Sequence, residues 1–549
     1  MRKIYLSTLL CSAMLFTGNV FAQSTFSTVQ SILQANCAAS GCHGGGNAQV
    51  FDVDAPAADF YNSIIDAPAA NTAAAAKGNK IVDPGHPYNS FLLRKIGSNG
   101  FDPYIQIDAT ERSGHPVVAL ADHEIELIRQ WILAGAQESG NYVDYALIQD
   151  YYANGGIDFI PVPTAPPAGK GFQVRFGPIF YAPDEEKEMM KKEHLKNTEE
   201  IKVSEMDGYM SWESHHMLLF RFEGNEAGSE PEGMRRVPFQ SFPFNGGVLT
   251  GMWQNDGEFK LPEGTSFYWP ANTVLDFDYH VKNYSQTEIL PSDFYMNIYY
   301  NEDPTPPIEM FAELDNQTML ALNPGLNFES REHDFNESRY LWLITSHTHK
   351  YATDYDIFLR EPNGTKGEQI YEGFYNEDYT FNQGYYDYQH PANRYFEEMK
   401  KVDNGFIFET TWDVTGPCTS PLQPLFCITF GLTTDDEMML FSYLYTEQKV
   451  TAPTGITPAG SNNSFSVYPN PFAESTQISY SLDEVANVKV EVFDVLGKKL
   501  NTLVEANQLA AGTHTTEISS SQLGATSGVY FVTLSVDGKK AATKKVTKL

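Results

Sequence analysis

From about residue 169 to residue 450 the sequence is a succession of short β-prone runs, each broken by Gly, Pro, Asn or Asp before a long helix can form. Val274-Leu-Asp-Phe-Asp-Tyr-His280 and Tyr340-Leu-Trp-Leu-Ile344 are two such runs. Strands of this length with turn residues between them predict antiparallel sandwiches. The stretch is long enough for two, which we divide as 169–310 and 311–450. An aromatic share of 13%, with 31 Tyr and 36 Phe, favours the same reading, because aromatic rings fit a pleated, half-buried surface.

The whole chain, at 549 residues, is too long for one core, so three to four domains are expected. Residues 24–145 read as helical. In Glu124-Ile-Glu-Leu-Ile-Arg-Gln-Trp-Ile-Leu-Ala-Gly-Ala136, the residues Ile125, Ile128, Trp131 and Ile132 share one helical face. Asp122 is the expected N-cap and Gly135 the expected stop. Residues 146–168 read as a linker ending in Pro161-Val-Pro-Thr-Ala-Pro-Pro167, and 451–463 as a second linker. Residues 464–549 read as a small all-β domain, in which Val488-Lys-Val-Glu-Val-Phe-Asp-Val alternates in period two and turns at Gly497.

The first 22 residues set the compartment. Arg2 and Lys3 precede a mostly apolar run from Ile4 to Phe16, and Val20-Phe21-Ala22 makes a cleavage site. That is a secretory signal peptide, cut after Ala22 and taking Cys11 with it. No later apolar run approaches the length of a membrane span. The formal net charge of -33 repels phosphate backbones, which argues against nucleic-acid partners and suits a soluble extracellular surface. In an oxidising compartment Cys418 and Cys427 can close a short loop as a disulfide.

Cys37-Ala-Ala-Ser-Gly-Cys42-His43 carries the chemistry of the first block. Two thiols can form thioethers to haem vinyl groups, and the His after the second thiol then points at the iron. The usual spacing has two residues between the cysteines; here there are four, which leaves a Cys37–Cys42 disulfide with an idle His as the other reading. Together with Val82-Asp-Pro-Gly-His-Pro-Tyr-Asn-Ser-Phe-Leu-Leu93, His115-Pro116 and the Glu124–Ala136 helix, the block resembles bacterial class I c-type cytochrome domains, including variants with the wider spacing. Such domains usually supply Met as second axial ligand, but no Met occurs between Ala22 and Met189. The resemblance then implies one covalent haem held by His43 and His115, with His86 and His123 as weaker candidates, or a five-coordinate iron. Imidazole in place of thioether lowers the reduction potential and makes the haem a donor.

Further along, His215-His216-Met217 opens an apolar run. His280 ends a strand, Ser346-His347-Thr-His349 follows one, and Asp435-Asp-Glu-Met438 precedes one. Residues i and i+2 of a strand share a face, so His347 and His349 can grip one metal. His215 and His216 point to opposite faces of a regular strand and can reach one metal only at a strand end, a twist or a bulge. HHM, a strand-ending Tyr-His, HTH and DEM in this order resemble the copper type II monooxygenases, the peptidylglycine α-hydroxylating and dopamine β-monooxygenase family. The resemblance implies two jelly-roll-like domains, each carrying one copper across an open, solvent-filled cleft. It implies that His215, His216 and His280 hold an electron-storing copper, and that His347, His349 and Met438 hold the copper that activates O2. Imidazoles suit copper, and a thioether favours Cu(I). It also implies an external reductant, commonly ascorbate, and a small-molecule substrate hydroxylated with O2.

Departures from the family narrow the substrate. Where peptide-amidating members have an Arg, an Asn and a Tyr to hold a substrate carboxylate, this chain has Thr345, Leu440 and Ser442. None offers a cation and Leu440 offers no hydrogen bond, so a C-terminal glycine peptide is not the expected substrate. His194, His333 and His390 read as surface or structural residues. The charged run Asp184-Glu-Glu-Lys-Glu-Met-Met-Lys-Lys-Glu-His194 reads as a solvated helix or loop.

Ser466-Val-Tyr-Pro-Asn-Pro-Phe472, Asp494-Val-Leu-Gly-Lys-Lys499 and Ser527-Gly-Val-Tyr-Phe-Val532 resemble the C-terminal sorting domain of the type IX secretion system of Bacteroidetes. This implies an immunoglobulin-like fold, engagement of that machinery, and export through the periplasm and across the outer membrane. The expected whole is a multidomain chain. It has a small all-α cytochrome c domain, two all-β jelly-roll-like sandwich domains and a small all-β sorting domain. The expected activity is R–H + O2 + 2e⁻ + 2H⁺ → R–OH + H2O, fed by the fused haem. The alternative is a non-catalytic copper and haem protein for electron transfer or binding at the cell surface.

Overall fold

The computed structural model describes residues 24–548 except 40–41, 46–49, 98–99, 113–119, 212, 225, 238–246, 254–256, 304, 374–390, 421–425, 451–465, 469–471, 473–474, 483–484, 495–498, 524–527 and 537–538. The signal peptide, His115, His390 and the second linker therefore lie outside the described residues. The chain divides into two compact units, Met1–Tyr152 and Ala153–Leu549.

The first unit is helical. Ser24 starts the helix Thr25–Cys37, its Oγ accepting the backbone N–H of Ser27 at 3.1 Å. Phe26, Val29 and Leu33 recur at helical spacing and are buried against Ile125, Ile128, Trp131 and Ile132 of the helix Asp122–Leu133. The rings of Phe26 and Trp131 lie 5.4 Å apart. Ala121, not Asp122, is the N-cap; the Glu124 carboxylate accepts the backbone N–H of Ala121 at 2.9 Å. Asp122 instead sits in the first turn, where a negative charge suits the helix dipole. Gly135, at φ 87°, ends the helix as expected. The region read as a linker from residue 146 begins with one more helix, Tyr145–Asn154. It is capped by Asp144, whose Oδ1 accepts the N–H of Leu147 at 3.1 Å, and it buries Ile148.

The described residues of the second unit are mainly β, in two-sheet sandwiches. One sheet of the first sandwich has the order Met234–Arg236, Glu186–His194, Val274–Lys282, Ser214–Phe222, Gly247–Trp253. The facing sheet runs Gly171–Tyr181, Leu290–Tyr300, Ile201–Met210, Thr265–Trp269, Ile308–Glu309. Phe176, Met217, Leu219, Phe277, Tyr279 and Phe294 are among the side chains that fill the space between them. The second sandwich begins at Phe311–Asn316. Its sheets are Phe311–Asn316, Leu440–Thr446, Arg339–His347, Asn393–Val402 and, facing it, Gly325–His333, Phe406–Val414, Ala352–Arg360, Lys366–Glu372. The strands Arg339–His347 and Leu440–Thr446 are buried on both faces. Leu341, Ile344, Phe441 and Tyr443 enter the core of their own sandwich, while Trp342, Leu343 and Leu444 pack into the first one. A register shift between Leu341 and Leu343 makes this division possible.

The charged run 184–194 is not a solvated helix or loop. Glu186–His194 is an inner strand between Val274–Lys282 and Met234–Arg236. Its two buried lysines have partners, while burial and the neighbouring Asp278 push the buried Glu188 carboxyl well above the usual carboxylate range. The Lys192 ammonium donates to the carbonyls of Ala227 at 3.0 Å and Glu230 at 2.7 Å, and pairs with Glu232 at 2.8 Å. Lys191 pairs with Glu193. Charged residues are rarely buried unless paired, and here the pairs permit a central strand.

The last block forms two antiparallel sheets, Ser466–Tyr468, Ser475–Leu482, Gly512–Ser519 and Lys499–Leu509, Ala486–Asp494, Gly528–Val536, Lys539–Lys548. Val488, Val490 and Val492 point inward, as their period-two spacing requires.

Candidate metal centre

His215 and His216 stand at the start of the strand Ser214–Phe222. Ser214 pairs with Val281 and His216 with His280, so His215 is the extra residue of a β-bulge. The bulge overrides the alternation of a regular strand and lets adjacent histidines serve one site. His280, near the end of Val274–Lys282, faces His216 across the ladder. His347 ends the strand Arg339–His347, and His349 lies in the turn beyond it.

These five side chains converge. Ring centroids lie 4.9 Å apart for His215 and His280, 5.2 Å for His216 and His280, and 5.3 Å for His347 and His349. Across the two expected sets, His215 lies 4.8 Å from His347, and His216 lies 5.1 Å from it. The five exposures run only from 0% to 7%. An open cleft between two separate copper sites is therefore not what this fold presents; the packing of Trp342, Leu343 and Leu444 into the first sandwich draws the two sets together. One nitrogen from each of His215, His216 and His280 falls within 4.8 Å of the other two, and the same holds for His215, His347 and His349.

Burial, reinforced by the neighbouring imidazoles, holds His215, His216 and His347 well below the usual histidine range and brings His349 to about 4. They are neutral at pH 7, the form that binds metals. His349 Nδ1 donates to the carbonyl of Asp436 at 3.2 Å, which fixes the tautomer and leaves Nε2 toward the cluster. Among the described residues, His216 Nδ1, His347 Nε2 and His349 Nε2 are buried without a hydrogen-bond partner. Buried polar atoms without partners are costly, and a metal ion repays that cost. An all-imidazole donor set fits copper.

Two carboxylates that sequence reading missed hold this cluster. Glu186 accepts from His280 Nε2 at 2.9 Å and from the backbone N–H of Thr434 at 2.8 Å. Burial alone raises its pKa, but these donors bring the carboxyl down to about 2. Glu437 accepts the backbone N–H groups of His349 at 2.9 Å and Tyr351 at 2.7 Å, and the indole N–H of Trp412 at 3.0 Å. It thereby ties the His-Thr-His turn to the loop before Met438. Met438 is buried and packs with Met190, Val237 and Leu432. The only sequence signal for these carboxylates is their place, Glu437 directly before Met438 and Glu186 in a run that looks like surface.

The positions Thr345, Leu440 and Ser442 are neighbours in the sheet, Thr345 pairing with Ser442 and Leu440 with His347. Thr345 Oγ1 donates to the carbonyl of Ala392 at 2.9 Å, and Ser442 Oγ to that of Glu313 at 3.0 Å. Of the remaining histidines, His194 contacts Glu232 at 3.2 Å with its side chain one-third exposed. His333 bridges Asp315 at 2.6 Å and the Tyr443 hydroxyl at 3.0 Å. Both are the surface or structural residues expected. Cys418 and Cys427 are joined as a disulfide.

In the first unit Cys37 and Cys42 are free thiols. Burial and the neighbouring Cys42 push the Cys37 thiol up. The loop closes on itself, the N–H of His43 donating to the Cys37 carbonyl at 3.2 Å. The His43 ring stacks on Phe51 at 4.2 Å. Gly44 is required here, since a Cβ would lie 2.3 Å from the Ala38 carbonyl oxygen. Two free thiols beside an imidazole fit covalent haem attachment. His86 is buried, and His123 Nδ1 meets the Tyr145 hydroxyl at 2.8 Å.

Residues 466–548 match the secretion system C-terminal sorting domain. The protein therefore carries the address of the type IX machinery of Bacteroidetes, which exports it across the outer membrane. No described helix is long and apolar enough to cross a membrane. No curated protein matches the sequence. Among solved structures, a protein described as a Bacteroides fragilis β-galactosidase is 11% identical, with 42% of this chain and 34% of that chain covered and a TM-score of 0.16. The STIV MCP is 11% identical, with 52% and 95% covered and a TM-score of 0.23. A Parabacteroides merdae β-glucuronidase is 10% identical, with 46% and 31% covered and a TM-score of 0.16. The chain thus spans about a third of the two glycosidases, and at these scores none of the three bears on its activity.

Proposed function

We propose that the protein is an exported copper-dependent monooxygenase that hydroxylates a C–H bond of a small organic substrate, with electrons passed on from a c-type haem in its first unit. The observation that carries this reading is the convergence of five histidines, from three strands and the turn after one of them, into one buried cluster of imidazoles. Copper, when bound, supplies electron storage and O2 activation. The chain's own residues do the rest. His215, His216, His280, His347 and His349 hold the metal, with Met438 as the softer donor the resemblance implies. Glu186 orients His280, and Glu437 orients the turn that carries His349. The low exposure of the cluster excludes water and limits side reactions. Thr345, Leu440 and Ser442 supply no cation themselves, and Thr345 and Ser442 are bonded to backbone carbonyls, which argues against a C-terminal glycine peptide as the substrate. Cys37, Cys42 and His43 hold the haem in this reading, with His115 as its sixth ligand. The jelly-roll-like character of the two sandwiches belongs to the same proposal.

The test is a screen of small organic compounds under ¹⁸O2, with ascorbate as reductant and copper-loaded, haem-containing protein. Labelled oxygen in a hydroxylated product is expected. Oxygen uptake that yields only peroxide sinks the enzyme. The haem relay has its own test: pre-reduced haem should be reoxidised faster in copper-loaded than in copper-free protein.

One observation favours the second reading, a copper and haem electron-transfer or binding protein. None of the five histidines exceeds 7% exposure, so no donor faces a substrate approaching from water.

A further inference from the structure

The resemblance to the copper monooxygenases implies two mononuclear sites kept apart. The side chains of this protein are arranged otherwise. The two three-histidine groups are not disjoint: His215 supplies a nitrogen to His216 and His280, and to His347 and His349. Rings from opposite sets, His215 and His347 at 4.8 Å, are closer than rings within a set, His347 and His349 at 5.3 Å. We propose that the five histidines form one merged centre that holds two copper ions as a close pair, with His215 common to both. This rests on the copper reading above and changes its geometry.

Three features hold the two halves of the centre together. The bulge at His215 turns that ring out of the regular alternation of its strand and toward both partners. Glu186 bonds His280 on one side and Thr434 on the other, so one carboxylate spans both sandwiches. Trp342, Leu343 and Leu444 lie in the core of the first sandwich, so separating the halves exposes apolar surface. Donor supply agrees. Met438 packs with Met190, Val237 and Leu432, and His215 completes the group around His347 and His349 in its place. Each copper gives one electron on passing from Cu(I) to Cu(II). The pair therefore holds at one locus the two electrons that R–H + O2 + 2e⁻ + 2H⁺ → R–OH + H2O consumes, and the external reductant restores them.

The mature full-length chain, loaded with Cu(II), decides the matter. Copper is counted by elemental analysis and its unpaired spins by electron paramagnetic resonance. The expected result is two coppers per chain with an integrated copper signal far below two spins, or with a half-field transition. Two coppers giving two magnetically isolated spins overturn the pair, and so does a content of one copper or none. His215→Ala is expected to remove both ions. A folded variant that keeps one isolated copper overturns the shared role of His215, and the wild-type spectrum decides alone if the variant does not fold. The monooxygenase reading is scored separately by hydroxylated product. Isolated spins with product sink the pair and keep the enzyme, whereas coupled spins without product do the reverse.

Discussion

In the first unit Cys37, Cys42 and His43 lie in one short run, and a single helix end with a closed loop brings them together. In the second unit His215, His216, His280, His347 and His349 come from three strands of two sandwiches and the turn after one of them, and nothing short of the complete fold brings them together. The first arrangement is written into the covalent chain. The second exists only while the tertiary structure does, and it depends on groups, Glu186 and Glu437, that never touch a metal in the proposed centre.

The largest effect that sharpens this contrast is unfolding itself. In concentrated urea, followed by gel filtration, all copper is expected to leave the chain and all haem to stay, because thioether bonds survive loss of the fold. Haem that separates from the chain breaks the comparison. Next, Cys37→Ala with Cys42→Ala is expected to abolish covalent haem, read as haem stain on a denaturing gel, while copper content stays unchanged. A parallel loss of copper would show that the two sites are not independent. Glu437→Gln comes third. The amide turns an N–H group toward the donors of His349, Tyr351 or Trp412, which costs about 2 kcal/mol of stability. It should also weaken copper binding by roughly tenfold or more, as loss of groups that orient ligands does. Calorimetric unfolding and a competitive chelator titration read the two. The smallest effect is that of Phe51→Leu, which removes the ring stacked on His43 and costs about 1 kcal/mol. Haem attachment is expected to be complete in that variant; incomplete attachment would show that the local motif needs its surroundings after all.

The same contrast explains what could be read from sequence. The Cys-His run and the last block's alternating valines were legible because their signals are local. The helix face of Ile125, Ile128, Trp131 and Ile132 was legible for the same reason. The five histidines were legible one by one, but not their meeting, since that depends on a bulge at His215 and on a sheet buried on both faces. The strand Glu186–His194 was misread because its charged residues look solvated until the partners of Lys192, the Ala227 and Glu230 carbonyls and Glu232, are known. With it went Glu186, the carboxylate that spans both sandwiches. The helix Tyr145–Asn154 was hidden by the proline-rich stretch after it, which drew the linker boundary too early.

His215 and His349 show no surface to water at all. A metal can reach them only while the surrounding strands are parted, during folding or in rare openings of the folded state. The residence time of a bound ion is then set by how long the sandwiches stay closed rather than by the strength of any one nitrogen bond. Copper should leave folded protein at a rate that does not change with chelator concentration, and that rate is the opening rate of the protein itself.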